Sequence, residues 1–203
     1  MEVNKKIGLF GGTFDPFHNG HLSMMKNAYE EAELDKIIVI PTGHPYQKED
    51  LGLKISLPRY RVGMIKNGIE DLDFPCEISE IELEKDRPSY TVETVAYFKD
   101  IYPKDELFWI CGSDVLFGID KWVNPEKLLK SITLLVVVRG TDTRTDAIDR
   151  KKYLEDKYGA RIIITKFKGP DISSTMIKKD ITENADLMPK RVYRYIVKNN
   201  IYE

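Results

Sequence analysis

The chain has 203 residues, 42% of them hydrophobic and 32% charged, with 31 Lys and Arg against 33 Asp and Glu for a formal net charge of −2. This balance excludes the disordered and fibrous classes and supplies no bulk basic charge for a nucleic-acid partner. The length suits one domain over residues 1–203 with a sizeable core, and apolar runs such as Leu134 to Val138 are far shorter than the ~20 residues of a membrane span. Met1-Glu2-Val3-Asn4-Lys5-Lys6 leads at once into a strand-like segment and leaves no room for a signal peptide, so the expected location is cytoplasmic. The two cysteines, Cys76 and Cys111, lack any Cys-x-x-Cys or Cys/His spacing and read as buried thiols.

Short apolar runs alternate with segments of helical period, the pattern of strands joined by crossover helices. In chain order the reading is strand 6–10, helix 20–32, strand 36–40, helix 58–69, strand 76–81, helix 91–101 and strand 107–111. Two short helices at 115–119 and 125–130 follow, then strand 132–138, helix 144–158 and strand 161–165. Helices at 174–180 and 189–199 close the chain, the last with Pro189 in its first turn. The expected fold class is α/β, a doubly wound parallel sheet with a C-terminal helical segment. Residues 41–57 are long, polar and without period, a candidate mobile loop over a site, whereas 140–145 is an ordinary loop. In such a sheet ligands bind beyond the carboxyl ends of the strands, where strand order reverses.

After the first strand stands Gly11-Gly12-Thr13-Phe14-Asp15-Pro16-Phe17-His18-Asn19-Gly20-His21, followed by helical spacing at Leu22, Met25, Ala28 and Tyr29. Two glycines let a polyanion approach the backbone, and Asn19 is a good N-cap for a helix whose first-turn N–H groups and partial positive charge favour phosphate. His18 and His21 are two of the chain's three histidines. Their spacing lets both rings share a face near the helix start and donate to one phosphate. A ring that only holds the turn is the other reading. A zinc pair lacks a third ligand at suitable spacing.

This eleven-residue stretch resembles the signature of nucleotidyltransferases with a His-x-Gly-His element and, within them, the nicotinate-nucleotide adenylyltransferases. The resemblance covers nearly the whole chain and implies a Rossmann-like fold of nucleotidyltransferase type. It implies ATP contacts from Gly11, Gly12, Thr13, Phe14, His18 and His21. Asp171-Ile172-Ser173-Ser174-Thr175-Met176-Ile177-Lys178 is similar to the family's Ile-Ser-Ser-Thr-x-Ile-Arg element. That similarity implies triphosphate binding by Ser173, Ser174, Thr175 and Lys178, within a closing segment at about 170–203. Taken alone, Ser173 would serve equally as an N-cap. Lys178 keeps the charge of the family's arginine without its planar fork.

Ser89-Tyr90-Thr91-Val92-Glu93-Thr94 resembles the family's Ser-Tyr-Thr-x-Asp-Thr and implies that Thr91 lies near the acceptor nucleotide. Read as residues alone, Ser89 or Thr91 caps a helix with Glu93 in its first turn. Cys111-Gly112-Ser113-Asp114, with Lys121-Trp122, is similar to the family's Gly-Ala-Asp and Lys-Trp elements. It implies nucleotide contact at Gly112, a ribose contact from Asp114 and stacking of Trp122 on a pyridine ring; a place in the core is the other reading of Trp122. Pro41-Thr42-Gly43-His44-Pro45-Tyr46-Gln47-Lys48 occupies the place of a loop ending Pro-Pro-His-Lys. Tyr46 and Gln47 depart from that loop, Lys48 fits as a cation for phosphates, and His44 reads as a loop residue without a catalytic task.

The resemblance implies transfer of the adenylyl group of ATP to nicotinate mononucleotide, giving nicotinate adenine dinucleotide and pyrophosphate in NAD biosynthesis. His18, His21, Lys48 and Lys178 would be its catalytic groups. Mg²⁺ would be held mainly by ATP phosphates, with no metal site of the protein's own. The expected partners are the two small substrates, with no nucleic acid and no membrane, and a homo-oligomer stays open. The alternatives are a nicotinamide nucleotide or another acceptor on the same fold, and a non-catalytic nucleotide sensor. A dinucleotide-dependent oxidoreductase is disfavoured, because the first turn lacks Gly-x-Gly-x-x-Gly and no acid follows the second strand at the expected spacing.

Overall fold

The computed structural model describes residues 4–44, 54–84 and 87–202. Strands β1 (Lys6–Gly12), β2 (Lys36–Pro41), β3 (Cys76–Ile78), β4 (Glu106–Gly112), β5 (Thr133–Val138) and β6 (Arg161–Lys168) form one sheet in the order β3-β2-β1-β4-β5-β6. All neighbours are parallel. The helices are α1 (Asn19–Ala32), α2 (Pro58–Ile69), α3 (Thr91–Ile101), α4 (Ser113–Gly118), α5 (Pro125–Ser131), α6 (Arg144–Tyr158), α7 (Ser174–Lys179) and α8 (Lys190–Lys198). The doubly wound sheet expected from the apolar runs is present, and strand order reverses between β1 and β4.

Side chains alternate across a strand, so each strand feeds two cores. Leu9, Ile38, Trp109, Leu134 and Val136 pack with Val95 and Phe98 of α3, Leu116 of α4, Leu129 of α5 and Leu154 of α6. Phe10, Ile37, Val39, Ile110, Leu135 and Val137 pack on the other face with Met25 and Ala28 of α1, Ile65 of α2, Ile177 of α7 and Ile196 of α8. A strand buried on both sides must be apolar through its buried length, which is why Leu134 to Val138 reads as a continuous run rather than an alternation. The carboxy-terminal helices therefore share a face with α1 and α2.

Local chemistry sets the ends of the elements. Pro58 and Pro125 open α2 and α5 at positions where a missing N–H costs nothing. Thr143 caps α6 by accepting the Asp146 N–H at 3.1 Å, and Gly159 ends that helix in the left-handed region, with φ 65°. Several expectations shift, and β6 runs on to Lys168 rather than ending at residue 165. β3 stops at Ile78 rather than residue 81, because the chain turns there and buries Glu82, whose Oε1 accepts the Thr94 hydroxyl at 2.7 Å. α4 leaves β4 directly at Ser113 and ends in a 3₁₀ turn over Ile119–Lys121. Pro189 has an extended ψ of 137° and precedes α8 instead of opening its first turn.

Leu135 is 0% exposed at the centre of the sheet. Leu135→Ala should lower stability in urea unfolding by about 2–5 kcal/mol; a loss below about 1 kcal/mol would contradict the packing described.

Candidate active site

The strand-order reversal opens a crevice beyond the ends of β1 and β4, which no crossover helix covers. A cavity of about 370 Å³ occupies it. Gly11, Gly12 and Thr13 after β1, Thr42 and His44 after β2, and Gly112 and Asp114 after β4 line it, with Arg139 entering from the end of β5. Thr91 at the start of α3, Glu82, Trp109 and Trp122 complete the wall. Every contribution comes from the carboxyl ends of strands or the segments that follow them.

The glycines make room for aromatic rings of the protein itself. A Cβ at Gly11 would lie 2.6 Å from the Trp109 indole, and one at Gly12 would lie 2.9 Å from the Phe14 ring. Phe14, at φ 53°, turns its side chain into a cluster with Phe10, Phe17 and His21. It is 1% exposed, backbone included, and does not line the cavity where the nucleotide contact was expected of it. His18 rather than Asn19 precedes the helix as its N-cap. The Asn19 amide instead donates to the Asp186 carbonyl at 2.9 Å and ties α1 to the carboxy-terminal segment.

The two imidazoles stack with centroids 3.7 Å apart and planes 24° from parallel, as their spacing anticipates. Only His21 reaches the cavity wall. His18 lies beneath it at 2% exposure. The His18 N–H donates to His21 Nδ1 at 3.2 Å. An accepting Nδ1 carries no proton, so this bond assigns the proton of His21 to Nε2, a donor on the ring that borders the cavity.

On the opposite wall, Arg139 pairs with Asp114 at 2.8 Å through its guanidinium, and its backbone N–H donates to the Ser113 hydroxyl at 3.2 Å. The Asp114 side chain is 57% exposed. A pair this open contributes no more than about 1 kcal/mol and yields readily to a ligand that offers either partner something better. Trp122 is half-buried against the α3 to α6 core and also borders the cavity. Cys111 lines the cavity too, but burial pushes its thiol well above the ordinary range, aided by Asp114 and opposed by Arg139. Cys76 is half-buried rather than buried, and burial with the neighbouring Glu77 pushes its thiol up to about 12. Neither thiol is a nucleophile at neutral pH.

The Cytidylyltransferase-like family matches residues 9–180 of the chain. A Clostridium botulinum (strain Alaska E43 / Type E3) protein named "Probable nicotinate-nucleotide adenylyltransferase" is 40% identical over 202 residues, 98% of each chain. A Carboxydothermus hydrogenoformans protein of the same name is 37% identical over 201 residues, 97% of this chain and 98% of the other. The chain belongs to the nicotinate-nucleotide adenylyltransferase family. Among solved structures, Plasmodium falciparum nicotinic acid mononucleotide adenylyltransferase complexed with NaAD shares the fold, with a TM-score of 0.79 at 18% identity and 98% of each chain covered.

In this member of the nicotinate-nucleotide adenylyltransferase family, the carboxy-terminal element packs beside the cavity rather than in its wall. Ser173, Ser174, Thr175 and Lys178 do not line the cavity itself, yet α7 sits directly on the turn after β1. Ser174 Oγ donates to the Pro16 carbonyl at 3.0 Å, and Lys178 Nζ donates to Asp15 Oδ2 at 2.7 Å. Ser173 is a helix cap, accepting the Met176 N–H at 3.1 Å, and Thr175 is exposed. Ser89 donates to the Glu82 carbonyl at 3.5 Å, so neither it nor Thr91 caps α3, where Tyr90 stands at the N-cap. Glu93, in the first turn of α3 as expected, pairs with Arg87 at 2.9 Å. His44, read from sequence as a plain loop residue, is at the cavity wall. Lys48, with Tyr46 and Gln47, lies outside the described residues.

Asp15 and Arg61 were not singled out in the sequence, though both are 1% exposed. Asp15 accepts from Lys178, from the Ser56 N–H at 3.2 Å and from the Tyr202 hydroxyl at 2.7 Å. Burial alone would raise its carboxyl, but these hydrogen bonds and the charge of Lys178 outweigh it and hold the group below its ordinary 3.8. Arg61 donates to the carbonyls of Ser56 at 3.2 Å, Thr13 at 3.1 Å and Gly43 at 3.4 Å, joining the turn after β1 to the segments after β2 and before α2. A signal for Arg61 exists in its spacing: it shares the buried stripe of α2 with Met64, Ile65 and Gly68, where a charge must be paired.

A carboxyl held below its ordinary value contributes stability that is in place above that value and disappears as the pH falls through the lower folded one. The stability difference between the native chain and Asp15→Asn should therefore shrink as the pH is lowered from about 6 to about 3. Urea unfolding across that range measures it, and a constant difference would contradict the pairing.

Proposed function

We propose that the chain transfers the adenylyl group of ATP to nicotinate mononucleotide, releasing pyrophosphate and forming nicotinate adenine dinucleotide. The observation that carries this reading is the cavity at the strand-order reversal. His21 of the Gly-Gly-Thr-Phe-Asp-Pro-Phe-His-Asn-Gly-His turn faces it together with Thr91, Asp114 and Trp122. Relatives 34–40% identical over nearly their whole length support the same reading.

The acceptor's phosphate has a second pKa near ~6 and is largely dianionic at neutral pH, so its oxygen attacks the α-phosphorus without a base. The bond from that phosphorus to the bridging oxygen of pyrophosphate breaks as the new one forms. Repulsion between polyanions and charge building on the leaving group are the obstacles, so positioning and electrostatic stabilisation supply most of the rate. His21 Nε2–H is a preset donor for a phosphate oxygen, and His18 holds its ring by stacking and through the backbone bond to Nδ1. Lys178, and Lys48 from the segment after β2, add positive charge for the triphosphate, with Ser173, Ser174 and Thr175 beside Lys178. The segment from about residue 170 thus acts in the same nucleotide site as the first turn. Gly11 and Gly12 leave the backbone open, Thr91 and Asp114 meet the acceptor and its ribose, and Trp122 stacks on the pyridine ring. Arg139, when a ligand takes over Asp114, is released toward phosphate or the nicotinate carboxylate.

Among the described residues no group of three His, Cys, Asp or Glu side chains converges on one point. Mg²⁺ is read as arriving with ATP, where it neutralises phosphate charge. The cytoplasm is the proposed location, in keeping with two free cysteines. Among the described residues no helix is long and apolar enough to cross a membrane.

Pyrophosphate release from ATP and Mg²⁺ with either nicotinate or nicotinamide mononucleotide tests the assignment. Turnover should require the nicotinate form or prefer it, and no release with either would refute it. His21→Ala should lower kcat by at least about a hundredfold, the order of losing one transition-state donor. Trp122→Ala should raise KM for the acceptor more than for ATP; equal changes would assign the indole to packing alone.

A further inference from the structure

Asp15 belongs to the turn that carries the histidines, yet two of its partners come from the far end of the chain. Lys178 Nζ occupies Oδ2, and the Tyr202 hydroxyl occupies Oδ1 at 2.7 Å. Tyr202 is anchored in its turn by its ring, which packs into the core shared by α1, α2 and α8, with its hydroxyl 3.7 Å from Met64 Sδ. Lys178 Nζ donates also to the Lys54 carbonyl at 3.1 Å and sits 5.5 Å from the centroid of the Tyr202 ring. An ammonium on a flexible four-carbon stem is therefore fixed from three sides: by a carboxylate, a carbonyl and an aromatic face. The carboxylate in turn cannot rotate away from Lys178 without giving up the Tyr202 bond. Ser174, one turn earlier in α7, rests on the Pro16 carbonyl, so the whole helix is registered against residues 15 and 16.

We propose that Asp15 and Tyr202 are positioning residues for the triphosphate: Asp15 holds the Lys178 ammonium beside the turn that carries His21, and Tyr202 holds Asp15. Neither residue touches the nucleotide. The inference rests on the adenylyl-transfer reading for the identity of the ligand. It gives the last residues of the chain a place in nucleotide binding that their distance in sequence from residue 15 conceals.

The test is ATP binding by titration calorimetry without acceptor, combined with KM values for both substrates, on the full-length chain. Tyr202→Phe keeps the ring and deletes one donor, and Asp15→Asn removes the charge. Each should weaken ATP about tenfold, the scale of losing a hydrogen bond to a charged group, while KM for the acceptor stays within about twofold. The double variant should be no weaker than Asp15→Asn, because Tyr202 acts through Asp15. If Asp15→Asn does not fold, Tyr202→Phe decides alone. The inference is overturned by an ATP affinity of Tyr202→Phe within about twofold of native, by equal shifts for both substrates, or by additive losses in the double variant. A native chain that binds no ATP overturns the adenylyl-transfer reading as well. A native chain that binds ATP normally, with variants that match it, overturns the positioning role alone.

Discussion

Between β1 and β4 the chain winds away in opposite directions, and no crossover can close the gap left at the carboxyl ends of those strands. The site depends on that topological constraint. The sheet order leaves a crevice whose floor is strand-end backbone, and the sequence at the strand ends suits such a floor. At Gly11, Gly12 and Gly112 that floor carries no side chain. The Trp109 and Phe14 rings press against it from the two cores, so an added methyl at Gly11 or Gly12 would collide with protein before it met any ligand. Close packing beneath the site and open access above it have the same origin.

Two buried charges extend this constraint to distant segments. Asp15 and Arg61 are each 1% exposed, and taking a charge out of water costs several kcal/mol unless hydrogen bonds replace the lost hydration. Their partners therefore have to be present: Lys178, Tyr202 and Ser56 for the carboxylate, three backbone carbonyls for the guanidinium. An ion pair of this kind is a poor source of net stability compared with apolar packing, but it penalises any arrangement that separates the partners. The structural consequence is that the turn after β1, the segment before α2, α7 and the carboxy-terminal residues hold one geometry together.

The parallel sheet was legible because strands buried on both faces must be apolar through their buried length, and 37–40 and 134–138 are. Strand ends were less legible. Gly11, Gly12 and Gly112 have no side-chain pattern to mark them as strand, and only pairing with β2 and β5 extends β1 and β4 through them. The shortening of β3 was hidden because the burial of Glu82 against Thr94 is a tertiary event. In the site, the histidine pair and the wall residues Thr91, Asp114 and Trp122 could be named from motifs that resemble those of the family. Arg139 and Asp15 could not, because their significance lies in partners 25 and 163 residues away. Which of the two histidine rings borders the cavity was also out of reach, since it depends on how the aromatic cluster packs.

If the reaction is adenylyl transfer from ATP, the turn after β1 and helix α7 meet the same triphosphate. A crystal structure of the chain with a non-hydrolysable ATP analogue tests it most directly. Phosphate oxygens should lie within hydrogen-bonding distance of His21 Nε2 on one side and of Lys178 or the Ser173 to Thr175 segment on the other. A nucleotide bound at the amino ends of the strands, or held by one of these elements with the other left in solvent, would contradict it.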